Sequence, residues 1–206
     1  MGGFIKKNMV QNPYQNALLP APVGGGYSDP DYWIWCGSVV QGEDGAYHMF
    51  ASRWPKDLGF GANWLFNCEI VRASSKNPEG PYTFQEVVLG RRGRTFFDGM
   101  NVHNPYIRKW NQTYYLYYMG TTFGGPIPGP GDEVNSSRFT EVWNRKRIGL
   151  ATAPSVFGPW TRCDEPLISP RDCSHWDCTA TTNPAVAIQP DGTTYMLYKS
   201  RSFADG

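Results

Sequence analysis

The chain has 206 residues, a net charge of +1, and almost as many aromatic residues (15%) as charged ones (18%). This balance gives no indication of a nucleic-acid partner, because the one basic cluster, residues 91–94, is short and is interpreted as a solvated loop. No apolar run reaches the length of about 18 residues that a membrane helix needs, so no membrane partner is predicted. No apolar segment follows Lys6 and Lys7, so no signal peptide is visible, and the compartment stays open.

Residues 1–35 are rich in Pro and Gly and are predicted to be mostly loop. Three similar segments follow along the chain, each combining a short strand, a tight turn with Gly or Asn, and a strand rich in aromatic residues. Turns of this composition between such strands are typical of β-hairpins. The three predicted hairpins cover residues 36–51, 103–119 and 183–199.

The first two hairpins are each followed by a third strand, a corner of Gly, Pro and an aromatic residue, and a fourth strand. The corners are Gly80-Pro81-Tyr82 and Gly158-Pro159-Trp160. Four antiparallel strands that recur at intervals of roughly 70 to 80 residues indicate the blades of a β-propeller. The predicted fold is therefore all-β, a five-bladed-type β-propeller of four-stranded antiparallel blades.

The whole chain, residues 1–206, is interpreted as one propeller domain. Blade one is predicted at about 31–90, blade two at about 98–168, and the start of blade three at about 177–202. A closed ring of five such blades would need roughly 350 residues. We therefore expect this chain to contain only the N-terminal two to three blades of a larger protein, or to be a shortened relative.

A long insertion, residues 120–144, separates the second and third strands of blade two. It contains many Gly and Pro residues and is predicted to be irregular. Insertions of this length usually act as lids or binding loops, or are disordered. No apolar stripe with a period of 3.6 residues persists anywhere in the chain, so we expect very little helix.

In a propeller, the loops that lead into the innermost strands converge at one mouth of the central channel. Three aspartates precede the three hairpins at nearly constant spacing: Asp31, Asp98 and Asp177. Together with His103 they are the candidate catalytic residues, since general acid and base groups act in glycosidic cleavage. An aspartate repeated at one offset also fits a structural role, as a cap that binds backbone N–H groups before each strand.

Further side chains in and next to these loops are candidates for binding a sugar. Indole rings stack on the C–H faces of sugars, and amide, hydroxyl and cationic groups bind sugar hydroxyls. One of the two tryptophans at the start of blade one is expected to pack in the core instead, because Trp33 and Trp35 share a face. The candidate substrate-binding residues are Trp33, Trp35, Arg53, Asn104, His175, Thr182, Asn183 and Lys199.

The five cysteines are an odd number and form no C-x-x-C pair, which argues against a disulfide framework and against a zinc site. Cys173 and Cys178 flank His175 and Asp177, but their spacing fits no common zinc pattern. We therefore predict no metal site and no cofactor.

The hairpin and corner sequences resemble those of the five-bladed propeller glycoside hydrolases, the broad group that contains families 43, 32, 68, 117 and 130. The resemblance extends over roughly residues 31–202 and implies a funnel-shaped pocket in which a terminal sugar of an oligo- or polysaccharide is hydrolysed or phosphorolysed. The residues that carry it are Asn104–Ile107 with Tyr114–Tyr118, Asn183–Val186 with Tyr195–Tyr198, and the two Gly-Pro-aromatic corners.

The chain departs from family 43 at the positions of its three catalytic carboxylates. Aligning the hairpins places Cys36, Asn104 and Thr182 there, and none of these is an acid. The resemblance therefore leaves three functions open. The first is a glycoside hydrolase that uses Asp31, Asp98, Asp177 and His103, and the second is a non-catalytic glycan-binding propeller. The third is a phosphorylase, for which only Arg53 and Lys199 are visible as phosphate ligands.

Overall fold

The computed structural model describes residues 20–201, so the segment in which a signal peptide would lie is outside the described residues. The described chain forms three antiparallel sheets, and the first two have four strands each in sequential order. This confirms the predicted all-β fold built from four-stranded antiparallel blades. The strands of sheet one are β1 (Tyr32–Gln41), β2 (Tyr47–Pro55), β3 (Glu69–Ser75) and β4 (Thr83–Leu89).

Sheet two continues the pattern, and sheet three has two strands within the described residues. Sheet two contains β5 (Asn101–Trp110), β6 (Thr113–Thr121), β7 (Arg147–Ala153) and β8 (Thr161–Arg162), and sheet three contains β9 (Thr182–Ile188) and β10 (Thr194–Lys199). The outer strand β10 leaves the apolar side chains of Tyr195 and Leu197 exposed.

The innermost strands of the three sheets, β1, β5 and β9, carry the same irregularity at the same place. In each of them two residues lie opposite one residue of the neighbouring strand, which is a β-bulge. The first residue of each bulge has a left-handed backbone: φ is 53° at Cys36, 51° at Asn104 and 53° at Asn183. Cys36, Asn104 and Asn183 are therefore structurally equivalent.

Neighbouring innermost strands are linked to one another by side chains. The hydroxyl of Ser52 accepts a hydrogen bond from the backbone N–H of Asn104 at 2.9 Å, and Ser38 accepts one from Ile107 at 3.1 Å. Arg108 of β5 donates to the carbonyl of Val186 in β9 at 2.8 Å. These contacts place the three bulges side by side.

The main core lies between sheets one and two. Its fully buried members come from inner and outer strands of both sheets and include Phe50, Ile70, Val102, Ile107 and Leu116. Apolar residues of β-rich segments therefore pack face to face between blades, as expected for sheets that are buried on both sides.

The insertion contains a helix that the sequence analysis did not predict. Helix α2 spans Ser136–Asn144, and the side chain of its N-cap residue Asn135 accepts a hydrogen bond from the N–H of Arg138 at 2.9 Å. A shorter helix, α1, spans Trp64–Asn67. The expectation of an irregular insertion was wrong here because α2 has only nine residues and follows a run of Gly and Pro, so its apolar stripe of Phe139, Val142 and Trp143 is too short to stand out in the sequence.

The two helices join the propeller through a second apolar cluster, formed by α1, α2 and residues near β5 and β6. Its buried members include Leu65, Phe66, Met100, Phe123 and Val142. Trp64 and Trp143 pack against this cluster and are only partly buried by it. None of the helices in the described part of the chain is both long and apolar enough to cross a membrane.

Candidate functional site

A cavity of about 250 Å³ opens where the innermost strands meet helices α1 and α2. Trp35, His103 and Thr182 each precede the bulge of their own strand, and all three line the cavity. Two of the equivalent bulge residues, Asn104 and Asn183, line it as well. The remaining lining residues are Trp54, Phe60, Trp64, Trp143, Lys146 and Lys199.

One wall of the cavity is aromatic. The ring of Phe60 lies 5.8 Å from that of Trp35 and 5.6 Å from that of Trp54, measured between centroids. The indole N–H of Trp54 is satisfied by the carbonyl of Gly59 at 3.1 Å. Trp35 remains 48% exposed, so its ring is free to contact a ligand.

His103 is buried in the wall beside the ring of Trp64, at a centroid distance of 5.1 Å. Its Nδ1 lies 3.1 Å from the sulfur of Cys68. Burial, together with the nearby charge of Lys146, lowers the pKa of His103 to about 3. The imidazole is therefore neutral near pH 7.

Lys146 is the most unusual polar residue of the cavity, because its side chain is only 3% exposed. Its Nζ lies 3.4 Å from the ring centroid of Trp143 and 5.6 Å from that of Trp64. Burial, together with the nearby charges of Lys199 and Arg201, lowers the pKa of Lys146 to about 6. Strongly perturbed groups in a cleft are typical of functional sites.

The two bulge asparagines form the polar floor of the cavity. The Nδ2 group of Asn104 donates to Oδ1 of Asn183 at 2.8 Å, and the hydroxyl of Thr182 donates to the same oxygen at 2.8 Å. The Oδ1 atom of Asn104 is buried without a hydrogen-bond partner. A buried acceptor of this kind in a cavity is suited to a ligand hydroxyl.

The cavity brings together six of the twelve residues that the sequence analysis selected. The other six lie elsewhere. The six in the cavity are Trp35, His103, Asn104, Thr182, Asn183 and Lys199, and the six outside it are Asp31, Trp33, Arg53, Asp98, His175 and Asp177.

Four of the outside residues lie near the surface or in the wall of blade one. Asp31 is exposed, and its backbone carbonyl accepts a hydrogen bond from Lys56. Trp33 packs edge-on against Phe60, on the same face as Trp35. Arg53 forms a salt bridge with Glu69 at 2.8 Å, and His175 lies on the surface.

Asp98 and Asp177 are buried carboxylates with equivalent partners. Asp98 accepts hydrogen bonds from Arg92 and from the hydroxyl of Tyr118, both at 2.7 Å. Asp177 accepts hydrogen bonds from Arg171 at 2.8 Å and from Tyr198 at 2.6 Å. In both sheets the arginine precedes the aspartate by six residues and the tyrosine lies opposite the bulge. These partners are side chains, so the arrangement differs from the backbone cap that the sequence analysis considered, and it joins each aspartate to the strand next to the innermost one.

The sequence analysis missed Lys146 and all the aromatic lining residues except Trp35. Trp64, Trp143 and Lys146 belong to or follow the two helices, so they could not be placed near the channel from the hairpin repeat. None of the lining residues, all within residues 20–201, carries a carboxylate. The same part of the chain contains no group of three or more His, Cys, Asp or Glu residues able to hold a metal ion.

Comparison with known proteins extends these observations. No protein-family model matches the sequence, and no curated protein matches it. Among solved structures, the chain is similar to Zg3597, a family 117 glycoside hydrolase produced by the marine bacterium Zobellia galactanivorans. The TM-score is 0.62 and the identity 20%, and the match covers 84% of this chain and 49% of that one.

Two further similar structures contain bound sugars. CoXyl43, a GH43 β-xylosidase/α-arabinofuranosidase from a compost microbial metagenome, was solved with xylotriose. It matches with a TM-score of 0.53 and 20% identity, over 84% of this chain and 45% of that one. A GH43_1 enzyme from Xanthomonas citri in complex with xylose matches with a TM-score of 0.51 and 18% identity, over 82% of this chain and 40% of that one.

The fold is therefore that of a β-propeller with four-stranded blades. More particularly, the chain is similar in fold to the solved family 117 and GH43 structures, which confirms the resemblance at the level of the fold. The chain spans slightly less than half the length of these structures.

Proposed function

We propose that the cavity binds a terminal sugar residue of an oligo- or polysaccharide, and that the protein is a glycoside hydrolase acting on a terminal O-glycosidic bond. The observation that supports this most directly is the combination of an indole wall with a floor of two asparagines at the bulges. Trp35 offers an exposed face for the C–H groups of a sugar ring. Asn104 and Asn183 offer amide groups for its hydroxyls.

The size of the cavity and the similar structures agree with this proposal. Pockets for drug-sized ligands are about 300–1,000 Å³, so a cavity of about 250 Å³ suits a ligand as small as one sugar ring. The similar propellers solved with xylose and xylotriose are bound to ligands of this class.

The chemical step needs more than the cavity provides. Glycosidic bonds are cleaved by a pair of carboxyl groups, one as an acid and the other as a base or nucleophile. Asp31, Asp98 and Asp177 remain our proposed carboxylates and His103 their proposed partner, but only His103 lines the cavity. A neutral imidazole there can donate a hydrogen bond to a bound sugar or accept one from it, depending on its tautomer, but with a pKa of about 3 it is a weak base.

The lack of a carboxylate among the described lining residues favours a second candidate, a propeller that binds glycans without cleaving them. Both candidates require the same sugar-binding cavity and differ only in turnover. A single set of measurements can therefore separate them.

The purified chain is titrated with xylose, xylotriose and arabino-oligosaccharides by saturation-transfer NMR and calorimetry, and release of reducing sugar is measured in parallel. Binding with release supports the hydrolase, and binding without release supports the glycan-binding protein. Turnover that requires added phosphate would identify a phosphorylase. Absence of binding to every sugar, with a correctly folded protein, would refute the proposed site.

A further inference from the structure

The cavity is cationic at one end. Lys146 and Lys199 both line it, and the guanidinium of Arg201 lies 4.1 Å from the centroid of the same Trp143 ring that Lys146 contacts. Arg201 is held in place by Asn144, whose Oδ1 accepts a hydrogen bond from it at 2.9 Å. Three basic side chains from two segments of the chain therefore lie at one end of the cavity.

These charges have no anionic partner within residues 20–201. None of the salt bridges there involves Lys146, Lys199 or Arg201. The buried aspartates nearby are already matched, Asp98 by Arg92 and Asp177 by Arg171. A buried ammonium group without a counter-charge is costly, and proteins normally pair such a group. The contact with the Trp143 ring offsets only a small part of this cost.

We infer that the sugar bound in this cavity carries an oxyanion, the carboxylate of a uronic acid or a sulfate ester, which binds between Lys146 and Lys199. This inference rests on the proposed sugar-binding function and specifies the class of sugar. The aromatic wall and the cations adjoin each other, because Nζ of Lys146 lies 5.6 Å from the ring centroid of Trp64. A charged sugar can use both surfaces, whereas a free inorganic anion has no apolar face for the indoles.

The same geometry couples binding to the uptake of a proton. Without a bound anion, Lys146 has a pKa of about 6, because it is buried and faces Lys199 and Arg201. His103, which also lines the cavity, is neutral near pH 7. A bound oxyanion favours the charged ammonium and raises this pKa. The affinity for the charged sugar therefore increases as the pH falls from 8 to 6, by up to about tenfold per pH unit, and levels off below pH 6.

Calorimetry with matched sugars tests the inference. The methyl glycosides of galactose, galacturonic acid and galactose 6-sulfate are titrated into the wild-type chain at pH 6, 7 and 8. We expect at least one charged sugar to bind tenfold or more tightly than galactose at pH 6, with a preference that shrinks as the pH rises. The charged sugar that binds more tightly identifies the anion.

Two variants and a control locate the effect. Lys146→Met keeps the length of the side chain and removes its ability to carry a charge, and is expected to abolish the preference for the charged sugar over galactose. Lys199→Met provides the same test if Lys146→Met does not fold. Lys76→Met, at an exposed position outside the cavity, is expected to behave like wild type.

Equal affinity for charged and neutral sugars would overturn the inference, and so would a preference that survives in both cavity variants. Inorganic phosphate that binds as tightly as the charged sugar would also overturn it, in favour of a simple anion site. If neutral and charged sugars bind with equal affinity, the proposed function stands and only the inference that the sugar is charged fails. If no sugar binds at all, the proposed function itself fails.

Discussion

Asp98→Asn tests whether a buried carboxylate holds the blades together or takes part in chemistry. Asp98 is 0% exposed and accepts hydrogen bonds from Arg92 and Tyr118, with Arg162 3.4 Å away. Asn preserves the volume and one acceptor oxygen but removes the charge. Arg92 and Arg162 then lose their shared counter-charge in a part of the structure with little access to water.

The magnitude follows from the surroundings of the two arginines. Removing one partner of a buried ion pair costs about 3–5 kcal/mol. Arg92 also forms a salt bridge with Asp164 at 2.6 Å, and both arginines retain some exposure, so we expect a loss near the lower limit, about 2–3 kcal/mol. In a chain of this size that loss lowers the melting temperature by roughly 4–12 °C.

Urea unfolding followed by tryptophan fluorescence, with a thermal melt as a second measurement, checks this expectation. The matched control is Asp31→Asn, because Asp31 is exposed and is expected to change stability by less than about 0.5 kcal/mol. A wild-type melting curve for Asp98→Asn, together with lost sugar turnover, would refute the structural role and support a catalytic one.

Three further outcomes are expected. Trp35→Ala is expected to weaken sugar binding at least tenfold in calorimetry. Trp176 is exposed and lies outside the cavity, so Trp176→Ala is expected to leave binding unchanged. Equal effects of the two substitutions would exclude the aromatic wall as the binding surface. Asn104→Ala is expected to be less stable to urea than Asn104→Gly by about 1 kcal/mol, because φ at this residue is 51° and Gly adopts this conformation without a steric cost. Equal stability of the two variants would contradict the left-handed backbone at the bulge. The free energy of unfolding rises from pH 6 towards pH 10. In this range Lys146 is protonated in the unfolded chain, where its pKa is about 10.5, but not in the folded chain, where its pKa is about 6. Lys146→Met should reduce this rise in urea titrations across that pH range, and an unchanged slope would show that Lys146 is charged in the fold.

The hairpins, corners and blade pattern could be predicted because their information is local. Turn residues, alternating strands and the Gly-Pro corners each act over a few residues, and the repeat tests every assignment two or three times. Six of the candidate residues line one cavity, and five of them lie at or just before a bulge of an innermost strand, as expected if the loops before equivalent strands converge. Local information also explains why the alignment of the hairpins places Cys36 and Asn104 at equivalent positions without any knowledge of their backbone angles.

The surroundings of the repeated aspartates could not be predicted in this way. Asp98 and Asp177 each meet an arginine six residues earlier and a tyrosine opposite the bulge, and both are buried as a result. In blade one the residue opposite the bulge is Ala51, and the residue six positions before Asp31 is Gly25. Asp31 therefore has neither partner and lies at the surface, although its spacing in the sequence is nearly the same.

Lys146 and Trp143 were missed for a different reason. Trp143 lies at the end of the insertion, and Lys146 follows it. The insertion has no counterpart in the other blades, so the repeat gives no information about where these two residues lie in the fold. Helix α2 carries them to the cavity through the packing of Phe139 and Val142 on the second apolar cluster. That contact is long-range and depends on side chains that look unremarkable in a helix of nine residues.

The bulges explain how one repeated backbone produces a site with varied chemistry. In all three blades the residue before the bulge lines the cavity, and in two of them the left-handed residue, Asn104 or Asn183, lines it as well. At the first of these positions the chain has Trp35, His103 and Thr182, which are an apolar face, a neutral imidazole and a hydroxyl. The backbone therefore fixes where ligand-contacting groups lie, while each blade is free to change what they are. Within the described residues this frame holds two lysines and no carboxylate at the cavity, which is the observation behind the proposed charged ligand.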